Sequence, residues 1–297
     1  MDWSKSKSIF IVVFLILDVF LYSLYLNRHT EAQLVQRGSS LTQKTIEARL
    51  KDDNITYGVL PTNIEKAAYI SGKVKNFEQE TPKLDNAKNI LIDKNKLIVT
   101  LKNPVKVKDI DEAASYNDFL KANVYEGASY TLWKIDKENK KATFFQTVNT
   151  RTLYYILNGL VEVTWNDQNE IVEYEQTLLE DIGAYEEEKV LTTPLRAIQT
   201  IYNKGLLSPN STITEVNLGY TTLVQFTQTQ VFVPTWELQV QTEDEGQKEY
   251  FVNAVQGGIL DLTLDASKVE EVEEAVEEAI TDDYEINLDA ENDKSRE

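Results

Sequence analysis

The chain has 297 residues, 42% of them hydrophobic, and a formal net charge of −19 at neutral pH. That length holds one large domain or two of ordinary size, and the apolar content is enough to bury a core, so the bulk is globular. There is no cysteine, which excludes disulfides, thiol catalysis, cysteine-based metal sites and a lipidated amino terminus.

Residues 1–8 form a short polar stub, followed by FIVVFLILDVFLYSLYL at 10–26. As a helix, residues 9–26 reach roughly 27 Å, close to the ~30 Å hydrocarbon core of a bilayer. The run ends in Tyr22, Tyr25, Leu26, Asn27, Arg28 and His29 without a small-residue cleavage pattern, so an uncleaved anchor is expected. Lys5 and Lys7 precede it and Arg28, Arg37 and Lys44 follow, so the count of positive charges does not decide; the two lysines lie closer to the run than Arg37 and Lys44, which leads us to expect a cytoplasmic amino terminus and an external globular part. Asp18 sits at the centre of the span. Tyr22 and Tyr25 share its helical face, and Phe14 and Ile11 extend that face towards the cytoplasm. Two readings of Asp18 stand: a tolerated side chain neutralised by protonation, or part of a stripe that hydrogen-bonds to partner helices.

Residues 27–54 read as a helical juxtamembrane stalk interrupted at Gly38-Ser39-Ser40. A first α+β subdomain is expected over 55–177. It opens with strands in AAYISGKV (67–74) and KLIVTL (96–101), the second stopped by Asn103-Pro104, and NDFLKANV (117–124) suits a short helix. An antiparallel meander follows. TLWKI and KATFFQTV flank a polar turn at 136–139, TLYYIL and LVEVTW flank Asn158-Gly159, and EIVEYEQT follows a turn at 166–169.

A second α+β subdomain is expected over 178–264, beginning with a helical block from about Leu178. In PLRAIQTIYNKG, Pro194 suits a first helical turn, Gly205 a stop, and Leu195, Ile198 and Tyr202 an inward face. Strands are expected in TITEVNLGY, TTLVQF, VFVPTWELQV, EYFVNAV and GGILDLTL, which makes the fold class α+β, antiparallel sheets packed with helices. Residues 265–297 are an acidic tail with fourteen Asp or Glu against three Lys or Arg. Its capping-box start at Ser267-Lys268-Val269-Glu270 leads into an apolar stripe of Val269, Val272, Val276 and Ile280, and its charges read as solvated.

The only histidine is His29, beside the span, so neither a Ser/His/Asp triad nor a histidine metal site is credible. No phosphate-binding or dinucleotide-binding glycine motif occurs, and acidic pairs such as Glu186 with Glu188 read as solvated surface. No catalytic residue, metal or cofactor is expected. Without an evident cluster of Lys and Arg, nucleic acid is not an expected partner. Trp236 and Tyr250 are either core aromatics on alternating strands or the wall of an external ligand or interface site.

Three stretches carry a resemblance. MDWSKSKSIFIVVFLILDVFLYSLYL, TPLRAIQTIYNKGLLSPNSTITEVNLGY (193–220) and VFVPTWELQV with EYFVNAVQGG (231–240, 249–258) together resemble the YycI (WalI) family. Asp18 stands where that family often has asparagine, and the acidic extension after Asp265 is foreign to it. The resemblance implies a single-pass, extracytoplasmic membrane protein of low-GC Gram-positive bacteria. Such a protein works with a YycH-like partner on the sensor kinase WalK (YycG), whose response regulator controls cell-wall metabolism. Its external part would be YycH-like, with a PepSY-like second half. The alternative, from another class, is an anchored binding protein for a cell-wall fragment or peptide.

Overall fold

A computed structural model describes residues 44–62, 65–222, 224–225, 227–242 and 246–264. The expected membrane span with Ile11, Phe14, Asp18, Tyr22 and Tyr25 lies outside these residues, as does the acidic tail. Among the described residues no helix is long and apolar enough to cross a membrane. The chain divides into two units, residues 1–53 and 54–297. The described part of the first holds helix α1 (Ile46–Asp52). The Thr45 hydroxyl caps it by accepting from the Ala48 amide at 3.3 Å.

The second unit starts with β1 (Thr56–Tyr57), β2 (Lys66–Ala67), β3 (Ile70–Val74), β4 (Ala87–Asp93), β5 (Lys96–Lys106) and helix α2 (Ala114–Asn123). Then come β6 (Tyr130–Asp136), β7 (Lys141–Val148), β8 (Arg151–Thr152), β9 (Leu160–Trp165), β10 (Glu170–Gln176), β11 (Leu179–Ala184) and β12 (Lys189–Val190). Helix α3 (Pro194–Asn203), β13 (Thr212–Thr221), β14 (Thr229–Thr242), β15 (Gly246–Asn253) and β16 (Ile259–Leu260) complete it. One sheet runs β1-β13-β14-β15-β16, with β3 joining β14 to β11; a second runs β4-β5-β10-β9-β7-β6, with β8 on β7; and β12 pairs with β2 in a small third sheet. Pairing is antiparallel except between β1 and β13, so the described fold is mostly antiparallel sheet with three α-helices.

Alternation builds the second sheet. Leu97, Val99 and Leu101 of β5 and Val161, Val163 and Trp165 of β9 all turn to one face, under Tyr116, Phe119 and Leu120 of α2. Tyr116 meets Phe144 edge-on at 5.3 Å, and Phe119 meets Tyr174 at 6.1 Å. The opposite face carries Glu162, Glu173 and Glu175, tied to Lys141, Thr100 and Lys96. In the first sheet β14 is the hub: β3 pairs with its start, and β13 and β15 flank its remainder. Residues 70–74, sequence neighbours of the second sheet, thus belong to the first. Buried Lys75 ties the two regions locally, its ammonium lying 3.1 Å from Glu180 and 3.2 Å from Glu80.

Several elements depart from the sequence expectations. Strand β5 does not stop at Asn103-Pro104 but continues to Lys106. Its pairing with β10 jumps from Thr100–Glu173 to Val105–Ile171, so Pro104 falls where no ladder hydrogen bond is needed. TLYYIL does not form a hairpin with LVEVTW. Neither Asn158 nor Gly159 has the positive φ of the tight turn; instead Gln225 accepts from the Asn158 side chain and the Leu157 amide. β9 pairs with β7 instead, and Leu153 bridges to Tyr220 of the other sheet. The helical block from Leu178 is strand β11, bent where Asp181 takes a φ of 53°. TTLVQF continues β13 only to Thr221, and GGILDLTL holds only the two-residue β16.

Candidate functional site

Helix α3 begins with Pro194 in the first turn, as the sequence predicts, and the Thr193 hydroxyl caps it by accepting from the Arg196 amide. It ends at Gly205, whose φ of 71° suits glycine. The buried face is Ala197, Ile198 and Ile201 rather than Leu195, Ile198 and Tyr202, a rotation of about one position. It packs over β14 and β15, on the face where Trp236, Leu238 and Val240 alternate with polar residues.

Trp236 and Tyr250 lie on that same face, because their cross-strand partners are Val252 and Leu238. Each fixes one end of α3. The Trp236 indole N–H donates to the Thr192 carbonyl at 2.9 Å, just before the helix. The Tyr250 hydroxyl donates to the Leu206 carbonyl at 2.9 Å, just after it. Trp236 has no exposed surface, so it offers nothing to a ligand. The structure brings the pair together as a helix clamp.

The opposite face of β14 and β15 holds a constellation that sequence reasoning missed. Trp133 stacks on Phe145 at 4.9 Å, and Tyr154, Tyr155 and Phe251 close round them, with Tyr154 5.2 Å from Phe251. Trp133 and Phe145 come from the second sheet, Phe251 from the first, and the two tyrosines from the crossing segment after β8. Leu160, Leu260, Leu262 and Leu264 pack around this aromatic seam. Two carboxylates are anchored beside it. Glu237 accepts from the Asn217 side chain at 3.1 Å and from the Tyr154 hydroxyl at 3.3 Å; Glu249 accepts from the Tyr155 hydroxyl at 3.0 Å.

Burial is the main reason the Glu237 carboxyl titrates above the usual range, and the same holds for Glu249. Burial, with the charge of Glu249 next, pushes the Tyr155 hydroxyl up to about 12. Both tyrosines therefore stay protonated donors at neutral pH. These carboxylates hold tyrosines in place, and among the described residues no histidine or serine stands with them. Among the described residues no group of three or more metal-ligating side chains could hold a metal ion. The sequence signal for the seam was the pair of doublets Phe144-Phe145 and Tyr154-Tyr155. On a strand, adjacent aromatics face opposite ways, so Phe144 fills the α2 core while Phe145 needs cover on the other face.

A cleft of about 400 Å³ opens beside the turn between β4 and β5, lined by Asn95, Lys96, Leu157, Asn158, Leu160 and Glu175 among others.

The sequence profile of the YycI protein family matches residues 35–255. The chain belongs to the YycI family. The match includes all three described helices, every strand but β16, and the five aromatic rings of the seam. YycI is a family of regulatory proteins associated with the WalK (YycG) two-component system. No match was found among curated proteins. Among solved structures, this YycI chain is similar to an uncharacterized protein from Eubacterium rectale ATCC 33656. The likeness has a TM-score of 0.43 and 10% identity, over 71% of this chain and 92% of that one.

Proposed function

We propose that the chain is a non-enzymatic regulator of the sensor kinase WalK (YycG), anchored in the cell membrane by residues 9–26 with its sheets outside. The observation that carries this reading is the YycI family match across both sheets. The kinase-directed surface is the span itself: Asp18, Tyr22 and Tyr25, extended by Phe14 and Ile11, face helices of the kinase or of a YycH-like partner. An aspartate at a helix centre costs about 2.5–3.5 kcal/mol to insert, and the surrounding Leu, Ile, Val and Phe side chains offset that. Its partner hydrogen bonds contribute about 0.6–2 kcal/mol each. The test is co-purification from membranes and kinase-dependent reporter output, comparing wild type with a chain whose span is polyleucine. Loss of both in the variant supports the reading; retention of both removes it.

A second reading, capture of a cell-wall fragment or peptide by the external part, is favoured by the cleft at Leu157 and Leu160. Muropeptide binding that is lost when Leu157→Trp fills the cleft would support it. Absence of binding by the wild-type chain would rule against it.

A further inference from the structure

Lysine is unevenly placed in this acidic chain, and one stretch departs from the expectation that it has no basic cluster. Residues 83–108 hold seven lysines and two aspartates, a net of +5 against −19 for the whole sequence. All seven (Lys83, Lys88, Lys94, Lys96, Lys102, Lys106 and Lys108) are exposed. Of these only Lys96 has an ion-pair partner among the described residues, Glu175 at 3.0 Å. They follow the β4–β5 ribbon at one margin of the second sheet, where β4 is the end strand, with one side unpaired among the described residues. Lysines on an end strand ordinarily discourage pairing with another chain. Beside these lysines the edge also displays apolar surface: Leu91 is 62% exposed on one face of β4 and Ile90 38% on the other. A ribbon with both features is shaped for an acidic, amphipathic occupant.

The same chain carries one. Residues 265–297 have a net charge of −11, with Val269, Val272, Val276 and Ile280 spaced three or four apart. Leu264, just before them, is packed against the aromatic seam. Fully extended, the 33 residues of the tail span up to ~110 Å, so reach from Leu264 is no constraint. We propose that the acidic tail docks along β4 of its own chain, its carboxylates on the lysine ribbon and its apolar stripe against Leu91. Single surface ion pairs contribute little, so the contact rests on many weak pairs and is released by salt. Docked, the tail covers an open strand edge; released, it leaves that edge free to pair with another chain.

The test is amide hydrogen exchange on the full chain in detergent micelles, at about 0.05 M and about 0.5 M sodium chloride, concentrations that span the onset of strong screening. Three conditions should speed exchange of Ala87–Asp93 several-fold over wild type at low salt: truncation after Leu264, the full-length variant Glu270→Lys/Glu271→Lys/Glu273→Lys/Glu274→Lys, and high salt. Exchange of Leu160–Trp165 should not change. Should the truncated chain fail to fold, the charge-reversed chain decides. Lysine–carboxylate cross-linking of mixed light and heavy chains should join Lys88 or Lys94 to the tail within one isotope only. Unchanged exchange at β4, or a majority of mixed-isotope cross-links, would overturn the proposal.

Discussion

Glu237 is a carboxylate held almost without water, 1% exposed, in the middle of the longest strand. Burial raises its pKa above the ordinary 4.5, Glu249 adds to the effect, and hydrogen bonds from Gln239, Asn217 and Tyr154 pull it partly back. A carboxyl that holds its proton more tightly when folded favours folding most below its unfolded pKa. That contribution falls as pH rises through the raised folded value, and a constant deficit remains above it. Glutamine keeps an acceptor for Asn217 and Tyr154 without the charge. Glu237→Gln should therefore melt above wild type at pH 7.5, with a smaller difference at pH 5. Thermal melts at the two pH values check this, and a lower melting temperature at pH 7.5 would contradict it. At Asp18 a graded pair gives the comparison. Asp18→Leu should weaken recovery of the kinase without preventing membrane insertion, and Asp18→Asn should be milder because it keeps a donor and an acceptor. Equal recovery for both variants and wild type would make the aspartate a passenger.

At the scale of elements, the seam depends on a close approach of β13 to the segment after β8. A Cβ on Gly219 would lie 2.3 Å from the Thr152 carbonyl oxygen and 2.3 Å from the Tyr154 ring. Since one obstacle is backbone, relief requires the sheets to part. Gly219→Ala should cost about 2–3 kcal/mol, while Gly183→Ala, with open space around it, should stay within about 0.5 kcal/mol. Chemical denaturation of the two variants measures the contrast. The same segment shows where sequence reading runs out. The turns at 136–139 and 166–169, the α2 helix and the caps of α3 were legible because local chemistry decides them. Asn158-Gly159 was misread because Gln225, 67 and 68 positions away, claims the polar groups that a tight turn would have used. Strand β11 was missed because Leu179 and Glu180 are fixed by β3, more than one hundred residues earlier. The seam drew on residues 133, 145, 154, 155 and 251, whose meeting no local pattern announces. Trp236 and Tyr250 stood out in the sequence as core aromatics or the wall of a ligand site, but their role as the two fastenings of α3 became visible only with the carbonyls of Thr192 and Leu206 in place.

For the whole molecule, the proposal is an external pair of sheets tethered by a kinase-directed span at the amino terminus. Reporter fusions at residue 60 and at the carboxyl terminus should be active only with a reporter that works outside the cytoplasm. Activity of a cytoplasmic reporter at either point would reverse the topology. The central claim, regulation through the span, meets its most direct test in membranes containing WalK and a YycH-like protein. There the wild-type chain is compared with one whose residues 9–26 are replaced by polyleucine, at equal membrane levels and with the external part unchanged. The account predicts that wild type co-purifies with the kinase and the polyleucine chain does not. Equal recovery of the kinase by both chains would contradict it and move the recognition surface to the sheets.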